Sequence, residues 1–288
     1  MRFVSYVHNG DPALGAHLPG GVVRLADLGP GWPGRLDDLI GEGGERLAEA
    51  WTAALVSNAP RTPIGELDLL TPVVSPGKVL CLGLNYVDHA DEGGFDKPDY
   101  PVLFMRGRTS LVAHGKPMIR PRCSERLDYE AELAVIIGTT ARHLTPGEAL
   151  SCVAGYAVFN DGSVRDYQRK THQWTMGKNF DATGGFGPEF VSADELPPGA
   201  AGLRIQSRLN GQVMQDANTS DMVFSVVDTL CYLTEVMTLE PGDIIAMGTP
   251  AGVGHARRPP VWMKAGDICE IEIEGIGVLR NPIADEVV

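Results

Sequence analysis

Two apolar runs in the middle of the chain predict a pair of buried strands, each bordered by acidic residues. The first run follows Glu130 and Glu132 in the segment LDYEAELAVIIG, and the second, GYAVF, leads into Asn160 and Asp161. Apolar runs that are rich in β-branched residues are typical of strands inside a sheet. Positions i and i+2 of a strand point to the same side. Glu130 and Glu132 are therefore expected to share one face, and Asp161 joins them if the two strands are neighbours.

These three carboxylates predict a site for a hard metal ion. Three anions that converge at the edge of an apolar sheet repel one another unless a cation lies between them. All three are oxygen donors, which favours Mg²⁺ or Mn²⁺, with Ca²⁺ as a further candidate, over zinc or copper. No nearby His or Cys completes a zinc pattern, and no calcium-loop motif occurs in this segment. The competing interpretation is a solvated edge strand, because acidic and apolar residues commonly alternate in half-exposed strands.

The same pattern predicts a small α/β module over residues 1–70 and a larger, mainly β domain over residues 71–288. In the module, strands are expected at 2–7 and 22–25, before a helix over 36–55 that is interrupted by the glycines between 41 and 44. The proline-containing segment NAPRTPI precedes the boundary. No chemistry is apparent in this module.

The larger domain shows turn and cap signals between short apolar runs. Asn210-Gly211 predicts the turn of a hairpin over 203–214, and Ser225 with Asp228 predicts a capping box at the start of a helix. A last alternation over 269–279 places three glutamates on what is expected to be a solvated face. Further strands are expected at 78–84, 101–105 and 244–247.

Two polar stretches flank the predicted strands and carry candidate functional side chains. His89 and Glu92 lie three residues apart, so one helical turn would place them side by side in a segment able to cover a site. Asp161 leads into a charged stretch with Arg165, which can bind a carboxylate, and Lys178, which can stabilise an oxyanion. The competing interpretations are an ordinary surface histidine and a solvated helix and loop.

Composition narrows the class of protein. The 288 residues carry a net charge of -13, which argues against a nucleic-acid or anionic-membrane partner. Five scattered cysteines without C-x-x-C spacing fit a reducing cytoplasm, and the N-terminus lacks the apolar core of a signal peptide. No stretch approaches the ~20 apolar residues of a membrane span. A cytoplasmic protein is expected.

With these residues collected, the chain resembles the fumarylacetoacetate hydrolase (FAH) superfamily over about residues 78–282. The motifs stand in the order of that family: GLNYVDHADE, LDYEAELAVIIG, GYAVFNDGSVRDYQ, GKNFDATGGFGP, LNGQVMQ, LEPGDIIAMGTPAGVG and AGDICEIEIEGIGVLRNP. Small departures, such as KNFD where relatives often have KSFD, leave every functional group in place. The resemblance implies an α+β, mainly β fold, a mixed β-sandwich roll behind a small N-terminal domain, and a homodimer.

The resemblance also implies roles for individual residues. The metal triad would be Glu130, Glu132 and Asp161, holding Mg²⁺ or Mn²⁺. A His–Glu dyad of His89 and Glu92 on a lid would activate water, with Lys178 as a further catalytic group. The substrate-binding groups would be Arg165, Gln168 and Thr249.

The implied reaction is hydrolysis of a C–C bond in a β-diketo acid, such as an acylpyruvate or a 2,4-diketo-3-deoxy sugar acid. The metal would stabilise the enolate that leaves, and hydroxide formed at His89 would attack the distal carbonyl. Two alternatives stay open. One is an oxaloacetate-type decarboxylase or a 2-hydroxymuconate-type isomerase, which needs no attacking water. The other is a non-catalytic binding relative, for which a water-activating dyad has no use.

Overall fold

The computed structural model describes residues 1–88 and 98–287, and within them short strands dominate. In chain order, the strands are β1 (Arg2–His8), β2 (Asp11–Leu18), β3 (Gly21–Arg24), β4 (Asp68–Leu69), β5 (Val79–Gly83), β6 (Val102–Met105), β7 (Leu111–Ala113), β8 (Met118–Arg120), β9 (Leu127–Asp128), β10 (Ala131–Ile137), β11 (Val153–Asp161), β12 (Ser163–Val164), β13 (Gly184–Ser192), β14 (Arg204–Leu209), β15 (Gln212–Asn218), β16 (Ile244–Ala246), β17 (Ile268–Ile273) and β18 (Gly277–Asp285). The α-helices are α1 (Leu36–Gly41), α2 (Gly44–Val56), α3 (Arg165–Gln168), α4 (Thr175–Lys178) and α5 (Val226–Val236).

The strands form two large sheets and one small one. The central sheet has the order β3-β2-β1-β13-β11-β10-β16-β5-β6, with β4 beside β1 and β7 beside β13. A second sheet has the order β15-β14-β17-β18-β8, and β9 pairs with β12. Most neighbours are antiparallel, but β16 with β5, β13 with β7 and β18 with β8 are parallel. The prediction of an α+β, mainly β fold with mixed sheets is confirmed.

The central sheet is covered on both faces, and alternate residues of its middle strands serve the two layers. On β10, Leu133, Val135 and Ile137 belong to the core that the sheet shares with the second sheet. The residues between them, Ala134 and Ile136, belong to the core that also contains the apolar faces of α1 and α2. Each fully buried Leu, Val or Ile side chain stabilises this arrangement by about 1.5–3 kcal/mol. Glu132 has the parity of Ala134 and Ile136, which decides where its carboxylate points.

The N-terminal module joins the central sheet. β1 pairs with β13 through Arg2 opposite Val191 and Phe3 opposite Phe190. The predicted helix over 36–55 is present and is divided at the glycines, as expected. The strand β2 was missed, because its sequence DPALGAHL is poor in β-branched residues. The domain boundary near residue 70 stays a prediction.

The turn and cap signals of the larger domain are confirmed, with one correction. The hairpin of β14 and β15 turns at Asn210 and Gly211, both at positive φ, and α5 begins with a capping box of Ser225 and Asp228. The alternation over 269–279 was expected as one stretch of strand. It is instead a hairpin of β17 and β18, because residues 274–276 form a turn. Among the described residues, no helix is long and apolar enough to cross a membrane.

Candidate metal centre

Glu130, Glu132 and Asp161 converge where β11 ends and β10 begins. One carboxylate oxygen from each residue lies within 4.8 Å of the other two, and all three residues are buried. The register explains this: β10 and β11 are antiparallel neighbours, and the Asp161 N–H donates to the Glu130 carbonyl at 2.9 Å. Asp161 also shares the parity of Ala157 and Phe159, which face the same layer as Ala134 and Ile136. The three side chains thus come together as expected, while their role as metal ligands stays a prediction.

Three buried cationic side chains surround these acids. Lys178 Nζ donates to Glu130 and, at 2.5 Å, to Asp161 Oδ2. Arg106 Nη1 donates to Asp161 Oδ1 at 2.6 Å, and Arg165 Nη2 lies 2.6 Å from Glu130 Oε1. Each contact is a charge-assisted pair out of contact with bulk water, where such pairs are strongest.

The buried charges do not balance. Glu130, Glu132, Asp161 and the nearby Asp128 are four acids, against the three cations Arg106, Arg165 and Lys178, all buried. In this set, one negative charge is left over. The negative charge of Glu132 is the least compensated of the four. Among the described residues, its carboxylate accepts a hydrogen bond from the Gly248 N–H, at 2.9 Å, and forms no ion pair.

The electrostatics at Glu132 fit a bound divalent cation. Burial raises the pKa of the Glu132 carboxyl well above its usual range, and the Asp161 and Glu130 carboxylates raise it further. A cation would relieve both effects by favouring the ionised carboxylate. Because the converging donors are all carboxylate oxygens, the chemistry of the site fits a hard divalent ion.

Lys178 is held in place by two short helices packed against each other. It is the last residue of α4, whose Gly177 lies against α3 so closely that a Cβ there would be 2.4 Å from the Gln168 backbone nitrogen. Burial alone would lower the pKa of the Lys178 ammonium, but the Asp161 and Glu130 carboxylates outweigh it and the pKa is raised. Lys178 is therefore a charged donor at neutral pH. A general base is a different role, which its charge does not suit.

Asp128 organises the other side of the site, although sequence analysis did not select it. Its carboxylate accepts from Arg165 Nε at 2.8 Å and from the backbone N–H groups of Gly254 and His255 at 2.8 and 2.9 Å. It is fully buried. One carboxylate thus positions both the guanidinium of Arg165 and the loop that carries His255.

The Gly-rich loop GTPAGVG supplies backbone N–H groups to anions. The acceptors are carboxylates of the protein itself: Gly248 donates to Glu132, and Gly254 donates to Asp128. Thr249, a predicted substrate-binding residue, accepts from Gln215 Nε2 at 2.8 Å. The loop therefore closes one side of the acid cluster.

A cleft opens beside the acid triad, and most of the predicted site residues line it. Its volume is about 90 Å³ within the described part of the chain. The apolar wall includes Leu82, Phe104, Trp174 and Val253. The polar lining consists of Glu130, Glu132, Arg165, Gln168, Arg169, Lys178, Thr249 and His255.

The structure leaves one predicted pair open and adds five polar or charged residues. His89 and Glu92 lie outside the described residues, so the dyad stays a prediction. The five residues that contact the site or line the cleft without having been selected are Arg106, Asp128, Arg169, Gln215 and His255. Asp128 carried a signal, since it lies two positions before Glu130 in the same alternation. Arg106 carried none, because its partner Asp161 is 55 residues away in sequence.

A mixed β fold with a buried cluster of carboxylates beside a small cleft is an arrangement that suits a metal-dependent enzyme. Residues 78–284 match the fumarylacetoacetate (FAA) hydrolase C-terminal family, and the chain belongs to this family of enzymes. The resemblance noted in the motifs is confirmed.

Individual relatives cover nearly the whole chain. An oxaloacetate tautomerase named Fahd2a, mitochondrial, from Rattus norvegicus is 37% identical over 98% of this chain and 91% of its own length. Among solved structures, a fumarylacetoacetate hydrolase from Exiguobacterium antarcticum is 36% identical, with a TM-score of 0.87, and the match covers 99% of this chain and all of the other. A maleylpyruvate hydrolase from Sphingobium sp. SYK-6, in complex with manganese(II) and pyruvate, is 28% identical with a TM-score of 0.83 over the full length of both chains.

Proposed function

We propose that this protein is a metal-dependent enzyme that enolises a small 2-keto acid, and that its reaction is the keto–enol tautomerisation of oxaloacetate. One observation carries the proposal. Glu130 and Glu132 of the acid triad line the same small cleft as two buried cations, Lys178 and Arg165, which contact carboxylates of the triad. This arrangement suits a substrate that is itself an anion and that develops more negative charge as it reacts.

The chemistry of tautomerisation matches these groups. A proton leaves C3 of the keto acid, negative charge develops on the 2-keto oxygen, and that oxygen is then protonated to give the enol. Mg²⁺ or Mn²⁺ held by Glu130, Glu132 and Asp161 would supply Lewis acidity to this oxygen. Lys178, kept charged by its neighbours, is placed to donate to the developing oxyanion. Arg165 and Gln168 would hold the substrate carboxylate, and His89 with Glu92 would move the C3 proton.

The comparisons support this choice over the hydrolase that the sequence motifs first favoured. The curated relatives that match almost the entire chain at 36–38% identity include several oxaloacetate tautomerases. Tautomerisation also requires fewer catalytic groups than hydrolysis, since no water molecule has to be activated to attack a carbonyl. A cytoplasmic location and a homodimer are further parts of the proposal that rest on the sequence.

A second candidate is hydrolysis of a C–C bond in an acylpyruvate-type acid. It is favoured by the likeness to a maleylpyruvate hydrolase in complex with manganese(II) and pyruvate. The leaving group would be a pyruvate enolate, which needs the same charged donors as the tautomerase reaction. The difference is a water molecule activated by His89.

The two candidates are separated by their products. Purified protein with Mn²⁺ or Mg²⁺ is mixed with enol oxaloacetate, and the enol absorbance, pyruvate and CO₂ are followed together against the same metal without protein and against protein with chelator. Metal-dependent loss of enol without pyruvate or CO₂ supports the tautomerase. Release of both identifies a decarboxylase, and pyruvate released from an acylpyruvate identifies the hydrolase. No acceleration of any of these would refute the proposal and point to a binding relative.

A further inference from the structure

We propose that Arg169 and His255 form a second carboxylate-binding subsite in the cleft, which makes the protein selective for keto acids with two carboxylates. This inference rests on the proposed 2-keto acid function and names its substrate class. Both residues line the cleft together with Glu130 and Glu132. Neither belongs to the acid triad or to its ion pairs.

Arg169 is a cation of the cleft that the protein leaves available. It follows α3 directly, and its backbone N–H donates to the Arg165 carbonyl at 3.3 Å, which anchors the residue at the end of that helix. The guanidinium of Arg165 is bound by Asp128 and Glu130. By contrast, none of the residues that the structure describes accepts a hydrogen bond from the guanidinium of Arg169. Arg169 is exposed and lines the cleft, so its guanidinium is available to an anion from solution.

His255 provides a fixed donor from the end of the Gly-rich loop. Its backbone N–H is held by Asp128 at 2.9 Å, and its ring stacks on Trp262 with a centroid distance of 6.0 Å. Within the described ranges, neither ring nitrogen has a hydrogen-bond partner. Burial lowers the pKa of His255, and Arg169 and Arg165 lower it further, so the ring is neutral at pH 7 and can donate one N–H.

The charge inventory explains why a second carboxylate needs its own cation. The four buried acids and three buried cations leave one negative charge, so a bound divalent ion turns the centre into a site with one positive charge. A single substrate carboxylate neutralises it. A second carboxylate at the far end of the substrate would then be unpaired in a partly apolar cleft, which is costly. Arg169 can pair with it bidentately, and His255 can add a hydrogen bond.

The test measures binding of two unreactive probes that differ only at the far end. 2-Oxoglutarate and 2-oxopentanoate are five-carbon 2-keto acids, and the first has a carboxylate where the second has a methyl group. Calorimetric titration into Mn²⁺-loaded wild-type protein is expected to give at least about tenfold tighter binding of 2-oxoglutarate, the effect of one charge-assisted pair. Arg169→Gln should remove most of this preference by weakening 2-oxoglutarate alone. Arg169→Lys should restore part of it, and His255→Gln should reduce it less.

Lys170→Gln is the matched control. Lys170 is the next residue in the chain, but its ammonium lies over the Tyr167 ring at 3.2 Å, and it does not line the cleft. Its removal changes the net charge equally and should leave the preference unchanged. Denaturant unfolding curves verify that each variant is folded.

Several results would overturn the subsite: equal affinity of wild-type protein for the two probes, no binding of either, a preference that persists in Arg169→Gln, or an equal loss in Lys170→Gln. Failure of the proposed function looks different. A clear probe preference without any tautomerisation of oxaloacetate refutes the reaction and keeps the subsite. Rapid tautomerisation without a probe preference does the reverse.

Discussion

The same Glu-x-Glu spacing occurs twice in this chain, with opposite outcomes. Glu130 and Glu132 are 3% and 1% exposed, and with Asp161 they form the acid triad. Glu270 and Glu272 on β17 have side chains that are 24% and 46% exposed, and they pair with Arg208 on the neighbouring strand β14. Both pairs obey the rule that alternate residues of a strand share a face.

What separates the two pairs is the layer that covers the face. β17 turns Ile271 and Ile273 toward the core between the sheets, so its glutamates point outward. In β10 both faces are covered, because the second sheet packs on one side and the layer of α1 and α2 on the other. Alternation therefore fixes the face of the strand on which a carboxylate lies. The neighbouring layer decides whether that face is buried, and so whether the charged carboxylate loses its hydration. A buried pair must be matched by cations, whereas a surface pair contributes little.

The largest effect is expected when the cation that pairs with the buried glutamate is removed and the result is compared with the same change at the exposed pair. Lys178→Met removes the ammonium shared by Glu130 and Asp161, and we expect the metal-free protein to lose about 3 kcal/mol of unfolding free energy. This is the lower end for a buried pair, since Arg106 and Arg165 remain. Arg208→Met, which removes the partner of the exposed glutamates, should cost less than about 1 kcal/mol. Denaturant unfolding in the presence of chelator measures both, and similar losses would contradict the contrast.

Metal binding sharpens the same comparison. Glu132→Gln keeps the shape of the side chain but removes a charged ligand, so we expect Mn²⁺ affinity to fall at least about 100-fold. Glu272→Gln makes the same change on the exposed face and should leave affinity unaltered. Titration of Mn²⁺ followed by its paramagnetic resonance signal gives both constants. Wild-type affinity in Glu132→Gln would exclude this residue as a ligand.

Much of the metal centre could be predicted because its geometry is local. Two apolar runs define β10 and β11, and strand alternation with antiparallel pairing then brings Glu130, Glu132 and Asp161 together. Asp128 is part of the same alternation, but it lies at the end of β9, before the two residues that separate β9 from β10, and it was not selected. Its partners confirm what the spacing already implied about its direction.

The surrounding cations could not be predicted in the same way. The chain contains 24 Lys and Arg residues, and nothing local distinguishes Arg106 from those that remain in solvent. Its burial follows from contacts with Asp161, Gly162 and Thr183, which the fold brings from distant positions. His255 likewise reaches the cleft through a loop held by Asp128. Residue spacing predicts the direction of side chains along a strand. Long-range packing determines which charged side chains come into contact.

A smaller effect is expected at Asp128, which positions Arg165 and the His255 loop. Asp128→Asn keeps the size of the side chain but loses the charge that pairs with Arg165 Nε. We expect kcat/KM for the substrate to fall about 10- to 100-fold, mainly through KM, because Arg165 is proposed to hold the substrate carboxylate. Asp166→Asn is the control, since its carboxylate accepts from Ser124 Oγ at 2.6 Å and does not line the cleft. A loss confined to stability, with unchanged KM, would show that Asp128 has only a structural role.

The smallest effect concerns the titration of His255, whose pKa in the cleft differs from that of a histidine on an open surface. Burial, Arg169 and Arg165 lower the pKa of His255 below its ordinary value of 6.5, while Asp128 opposes and Arg258 adds a minor lowering. Below pH 6.5, His255 is therefore protonated in the unfolded chain while it stays neutral in the folded protein. The free energy of unfolding consequently declines as pH falls toward the pKa of His255 in the folded protein. His255→Gln should flatten this part of the stability profile. Arg169→Gln should raise the pKa of His255 in an NMR titration, with the resonance assigned by its loss in His255→Gln. A resonance that titrates near 6.5 in wild-type protein, and does not move in Arg169→Gln, would place His255 in solvent and separate it from the cations of the cleft.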